Sequence, residues 1–202
     1  MSIYEKPELD VLFDGLYHLN PNINRNASFK LVEFWPDEAL SRLIANLGHH
    51  NIEIRRKTVK AFGPFGARAF ESIVYTFENN DDLVIHISCL KALVQIAAKN
   101  KKITFPKEVM KIIELALSKD TPELILTVIP LLRQLETQGL PFLIEASKDS
   151  NILKAMSAVT ALSEIDDPLA KRSLEKLLED DLSDDLLRES LRQALKTHEI
   201  ND

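Results

Sequence analysis

Ala39 to Gly66 reads ALSRLIANLGHHNIEIRRKTVKAFGPFG, and this one stretch decides the fold. Leu40, Leu43, Ile44 and Leu47 recur at helical spacing, so a first amphipathic helix has one apolar face. Gly48 to Asn51 then interrupts the pattern with residues that tolerate left-handed or open backbone. A second helix is expected from Ile52, with Ile54, Thr58, Ala61 and Phe62 on its apolar side, and Gly63-Pro64-Phe65-Gly66 stops it. Related helix pairs follow at a period of roughly 30 residues, which is the signature of an α-solenoid. Such an architecture presents a long surface, so the first expectation is a protein that holds something.

The same unit can be traced in both directions. Towards the N-terminus, Leu9, Leu12, Phe13 and Leu16 predict a helix, Asn20-Pro21-Asn22 a turn, and Arg25 to Phe34 a second helix ended by Pro36. The third unit uses Phe70, Ile73, Val74 and Phe77, turns at Asn79-Asn80-Asp81-Asp82, and returns through Leu83, Ile87, Leu90, Val94 and Ala97. Arg25, Arg55 and Ile85, spaced 30 residues apart, set the expected register. A longer joint is expected near 99–107, solvated by Lys99, Lys101 and Lys102.

Beyond the joint, Val109, Ile112, Ile113 and Ala116 lead to a turn at Lys119-Asp120-Thr121-Pro122 and a return through Ile125, Val128, Leu132 and Leu135. Pro130 lies inside that return helix, where it removes a backbone donor and is expected to kink it. The fifth unit has Leu140, Leu143 and Ile144, then Asp149-Ser150-Asn151, then Ile152, Ala155, Val159 and Leu162. The last, over 170–202, uses Leu174, Leu177, Leu178, Leu187, Leu191 and Leu195 and carries Glu179-Asp180-Asp181 and Asp184-Asp185, the polar outer face of a capping repeat. No segment alternates with period two. The expected fold is all-α, one continuous α-solenoid of about six two-helix repeats over residues 1–202.

Composition narrows the function. Lys+Arg and Asp+Glu number 17 each over residues 1–139, whereas 140–202 hold 8 and 14, so the whole net charge of −6 sits at the acidic end. That end is no nucleic-acid surface. The front half holds the one basic cluster, Arg55-Arg56-Lys57 with Lys60 and Arg68. A single cysteine, Cys89, excludes an internal disulfide framework and fits a reducing compartment. No apolar run approaches the ~18 residues of a membrane span. Met1 to Glu8 lacks the basic patch and apolar run of a signal peptide, so a cytosol or a plastid stroma is the expected location.

EIRRKTVKAFGPFGARAF (53–70) and ALSEIDDPLAKRSLEKLL (161–178) resemble HEAT-like repeats of the short bacterial type. In that type a helix ends in an Ala-Leu-Gly-x-Ile-Gly-like turn and the next begins Asp-Pro-x-Ala. The opening LNPNINRNASFKLVEFWPDEALSRLIANL (19–47) and the chain length are most similar to the Z type within the phycobilisome lyase and chaperone family, which comprises E/F and Y/Z proteins. The third and fourth units depart from the pattern: Ala97-Ala98-Lys99-Asn100 and Glu136-Thr137-Gln138-Gly139 replace the Gly-x-x-Gly stop, and no arginine stands at the place of Arg55.

The resemblance implies a partner, a phycobiliprotein subunit (phycoerythrin for the Z type), and a Y-type lyase as a second one. It also implies a chaperone-like or accessory role in covalent bilin attachment, with phycobilin held at most transiently. The alternatives are a bilin-binding lyase subunit and a general HEAT-repeat adaptor.

Bilin binding asks for cations to meet two propionates beside an apolar wall. Arg55, Arg56, Lys57 and Lys60 are the dense cation supply, with Arg25 in register and Arg68 nearby. The competing reading makes Arg55 a ladder residue tying neighbouring turns and leaves Lys57 and Lys60 solvated. Trp35, the only tryptophan, is either a partner anchor or a cap on the core, and packing is favoured. Cys89 and His86 share a helix face, but apolar neighbours make the cysteine an inert core residue. His49-His50 lies in a turn, and the Glu179 acids lack the spacing of a calcium loop. No catalytic triad, redox pair or nucleotide fingerprint is present, so a non-catalytic role is favoured over a phycobilin:cysteine lyase.

Overall fold

The computed structural model describes residues 6–179 and 185–201, and among them there are twelve α-helices and no strand. The chain packs as two compact units, Met1–Ile112 and Ile113–Asp202. Asp180, Asp181 and Asp184 of the expected acidic cap, and Met1 to Glu5, lie outside the described residues.

In the first unit, α1 (Leu9–Tyr17), α3 (Pro36–Ala45) and α5 (Phe70–Glu78) are the first helices of three pairs. Their partners α2 (Pro21–Phe34), α4 (Ile52–Ala61) and α6 (Leu83–Lys99) form a second layer, with α4 packed against both α2 and α6. Each second helix starts at a side-chain cap: Asn20 accepts from the Asn22 N–H at 2.9 Å, Asn51 from Glu53 at 2.9 Å, and Asp82 from Val84 at 2.6 Å. These caps satisfy backbone donors that no helical carbonyl reaches.

The cap at Asn20 corrects the expected start of α2. Pro21 occupies the first helical position, where its fixed φ suits a helix and its missing N–H is not needed. The helix therefore opens four residues ahead of Arg25. Between the layers Phe13, Leu16, Leu31, Leu43, Phe62 and Ile73 are fully buried. Burial of each such side chain stabilises by about 1.5–3 kcal/mol. Gly66 has φ +57°, the left-handed conformation that lets the chain leave α4 through the 3-10 stretch Gly63–Ala69 and enter α5. Lys101 and Lys102 are exposed as expected, but Phe105 in the same segment is buried edge-on against Phe70, with ring centroids 5.0 Å apart. The segment is pinned by that ring.

Helix α6 also differs from expectation. The sequence pattern puts Leu83, Ile87 and Val94 on its core face with Leu90 and Ala97, whereas the buried face includes His86, Cys89, Leu90, Leu93, Ile96 and Ala97. Apolar residues run almost all round this helix, so periodicity alone supports either face. Helix α7 (Lys107–Ser118) follows, with Val109, Ile112, Ile113 and Ala116 buried.

The second unit repeats the two layers with α8 (Pro122–Gln134), α10 (Ile152–Ser163) and α12 (Asp185–Asn201) on one side and α9 (Leu140–Ala146) and α11 (Pro168–Glu179) on the other. Helix α8 continues through Pro130, which is exposed. Lys154, on α10, is buried and makes ion pairs with Asp120 and, at 2.8 Å, with Asp149. Burial opposes the charge on Lys154, yet the bonds to the two carboxylates outweigh it and hold its pKa above 10.5. Burial likewise raises Asp149, but the Lys154 ammonium and the Asn151 N–H hold it below 3.8.

Two outcomes follow from these contacts. A methyl at Gly139 would meet the Leu132 carbonyl oxygen at 1.9 Å, so Gly139→Ala must move backbone. Thermal denaturation should show a loss of about 1–3 kcal/mol or more. The Lys154 cluster stabilises between the ordinary values of its groups, 3.8 and 10.5. A depressed carboxyl loses its stabilisation as pH falls through the folded value, and a raised lysine as pH rises through its own. Melting across pH should therefore show Lys154→Met less stable on the plateau and less steeply affected below about pH 4 than the parent chain.

Candidate functional site

The caps Asn20, Asn51 and Asp82 are 31 residues apart, so equivalent side chains of α2, α4 and α6 recur at that spacing. Four residues after each cap stand Asn24, Arg55 and His86, and all three donate to carbonyls of their own turn. Asn24 Nδ2 reaches Gly15 O at 3.1 Å and His18 O at 2.6 Å. Arg55 reaches His49 O at 2.6 Å and His50 O at 3.3 Å. His86 Nε2 faces Asn80 O at 2.6 Å and Phe77 O at 3.1 Å, and since carbonyls only accept, this nitrogen carries the proton. The equivalent of Arg55 is therefore Asn24, not Arg25 as the 30-residue spacing suggested.

One residue further on, Arg25 and Arg56 occupy matching positions and turn away from the turns, together with Lys60, the match of Phe29 and of Lys91. Two open grooves result. The first, about 450 Å³, has Arg25, Arg56, Lys57 and Lys60 beside Leu19 and Phe29. Leu19 is 92% and Phe29 50% exposed, so the apolar wall of this groove is open to solvent. The second, about 620 Å³, lies between α4 and α6 and is bordered by Arg55, Arg56, Lys60 and Lys91. Its floor includes Ile52 of α4 with Val84, Ile87 and Val94 of α6, and Ile87 and Val94 are among the α6 residues expected in the core.

The cations are not equivalent. Lys57 extends its ammonium out of the first groove to Tyr17 O at 2.8 Å and His18 O at 2.9 Å, where it meets the negative end of the α1 dipole. Arg55 is bound to its turn. Arg56 pairs with Glu53 at 2.9 Å, both well exposed, a contact of small value. Arg25 and Lys60 make no ion pair with another described residue. Two further residues fall away from both grooves. Trp35 donates its indole N–H to Pro7 O at 2.8 Å under the Lys6 ammonium, which lies 3.3 Å from the ring centroid. Arg68 lies 4.0 Å from Asp37. Sequence reasoning missed Lys91, Gln95, Lys99 and Phe29; a 31-residue offset from Lys60 points to both Phe29 and Lys91.

The thiol of Cys89 is withdrawn from the surface. Burial pushes the Cys89 thiol up to about 12, which leaves it protonated. The His49 ring accepts from the Asn51 N–H at 3.0 Å and stacks on His50, as His18 accepts from Asn20 at 3.0 Å one repeat earlier. Both are turn residues, and among the described residues no group of three or more His, Cys, Asp or Glu side chains is arranged to hold a metal ion. No described helix is long and apolar enough to cross a membrane.

The helices pair in two layers, and residues 109–196 match the family model for HEAT repeats. The bilin biosynthesis protein CpeZ of Synechococcus sp. (strain WH8020) is 28% identical over 162 residues, covering 77% of this chain and 87% of CpeZ. The uncharacterized phycocyanin operon protein Z of Pseudanabaena tenuis (strain PCC 7409) is 24% identical over 174 residues, covering 86% of each chain. An engineered protein of known crystal structure aligns over 96% of this chain and 99% of its own at 16% identity, with a TM-score of 0.45. The chain is thus similar to HEAT-repeat proteins over residues 109–196 and to proteins of CpeZ type over most of its length.

Two neighbouring arginines should behave oppositely. Arg55→Ala leaves turn carbonyls without their donor and should cost about 1–3 kcal/mol in chemical denaturation. Arg56→Ala, on the exposed ridge, should change stability by no more than about 0.5 kcal/mol.

Proposed function

We propose that this protein assists phycobiliprotein maturation as a chaperone-like or accessory subunit in covalent bilin attachment. The observation that carries the reading is the likeness to the bilin biosynthesis protein CpeZ, which runs over 87% of that protein's length. The surface of the first unit supports it. Exposed apolar side chains such as Leu19 and Phe29 stand beside Arg25 and Lys60, which make no ion pair with a described residue, a combination suited to holding an apo-protein subunit. The client is a phycobiliprotein subunit, with phycoerythrin first among them, and a Y-type lyase is its working partner. Bilin is a substrate of the assembly and is delivered to a cysteine of the client. The thiol of Cys89, buried and protonated, takes no part in bond making.

Co-expression of this chain with apo-phycoerythrin α or β subunits, with and without bilin, tests the reading. The expected result is more soluble client without bilin and co-purification of client with the affinity-tagged chain. Pigment captured by this chain alone would instead make it a bilin-binding lyase subunit, with Arg25, Arg56 and Lys60 as the cations for the propionates. Capture of neither would leave a HEAT-repeat adaptor with no pigment role.

A further inference from the structure

The groove between α4 and α6 differs from the rest of the surface in its charge. Arg56 and Lys60 stand i, i+4 on one ridge, Lys91 stands on the other, and no carboxylate lines the trough. Like charges at that spacing are destabilising on a helix. Glu53, the ion-pair partner of Arg56, belongs to the lining of the neighbouring groove, and Lys60 and Lys91 make no ion pair with a described residue. The floor is aliphatic, and its Ile52 and Val84 are 49% and 40% exposed.

We propose that this groove receives an acidic amphipathic helix of a protein partner. The inference rests on the maturation reading only in taking the partner to be the client or its lyase. An aliphatic floor calls for an apolar stripe, and cations along both edges call for carboxylates flanking that stripe. One element supplies both, a helix with apolar residues at i, i+3, i+4 and i+7 and acids on either side. Size agrees. Helix α4 has ten residues and so offers a wall of about 15 Å, enough for roughly three turns of a docked helix. A small molecule needs a site that encloses most of its surface, and this trough of about 620 Å³ is open along its length. A bound acidic helix would also relieve the repulsion between Arg56, Lys60 and Lys91.

Fluorescence anisotropy on the full chain tests the proposal. The probe is a labelled helical peptide of about 15 residues with Leu and Phe at the stripe positions and Glu flanking them, beside a twin with Lys for every Glu. The Glu peptide should bind, more weakly as salt rises, and the twin should not. Lys60→Glu with Lys91→Glu should weaken the Glu peptide about tenfold or more and admit the twin, while Arg68→Glu, off the groove, changes neither. Equal binding of both peptides, or no effect of the double reversal, overturns the proposal. So does a dimer of the chain that the double reversal dissociates, since a second copy would then be the occupant. In co-expression, unimpaired client capture by the double-reversal chain overturns the groove and spares the maturation reading. Peptide binding by a chain that captures no client does the reverse.

Discussion

The first unit depends on a hydrogen bond made three times. A side chain four residues past each helix cap returns to the turn and donates to its carbonyls. Helix ends leave backbone acceptors without intrahelical partners, and a part-buried carbonyl with no donor costs about 1–3 kcal/mol. Asn24, Arg55 and His86 answer this with an amide, a guanidinium and an imidazole. The geometry is held constant while the chemistry changes. His86 shows how far the substitution goes, because its ring also stacks on Phe77 at 4.2 Å and thus serves the core as well as the turn.

That bond also phases the outer surface. A helix advances 100° per residue, so once the residue four past the cap is fixed on the turn, those five and nine past it share another face. Arg25, Arg56 and Ile87 occupy the first of these positions and Phe29, Lys60 and Lys91 the second. The grooves are the spaces between such rows. The cations therefore reach the surface in register because the turns beneath them are locked. The second unit keeps the layers but not the device: Lys154, three residues past its cap Asn151, bonds the side-chain carboxylates of Asp120 and Asp149.

Much of the fold was legible. Six helix pairs, their all-α character and most turns follow from apolar spacing and from Gly, Asn, Asp and Pro between the runs. The register was not. Arg25 and Arg55 are the same residue type 30 apart, and identity drew the alignment to them. The true repeat of 31 joins Asn24 to Arg55 and His86, residues with no chemical likeness beyond an N–H. The face of α6 was equally hidden, because Leu83, Ile87 and Val94 follow one helical stripe while Cys89, Leu93 and Ile96 follow another, with Leu90 buried between them. Packing against α4, α5 and the 3-10 stretch Gly63–Ala69 decides which stripe is covered, and Ile87 and Val94 of the other became part of a groove floor. Of the candidate site residues, Arg25, Arg56 and Lys60 line grooves without being bound to a turn, whereas Arg55 and Lys57 spend their charge on backbone carbonyls.

The division of labour among adjacent residues has a consequence for how such a surface changes over time. Arg55, Arg56 and Lys57 are consecutive cations, yet their tasks are separate: a turn of the same repeat, an open ridge, and the end of α1. Replacing the first removes the side-chain donor of His49 O and His50 O, and replacing the third removes that of Tyr17 O, while His18 O keeps Asn24. Replacing the second touches only side chains in water. Recognition by this surface is thus free to vary at positions five and nine past each cap while the frame stays fixed at position four. Within the first unit the surface can therefore change what it holds while its helices stack alike, provided that each of the three turns keeps the N–H pointed back at it.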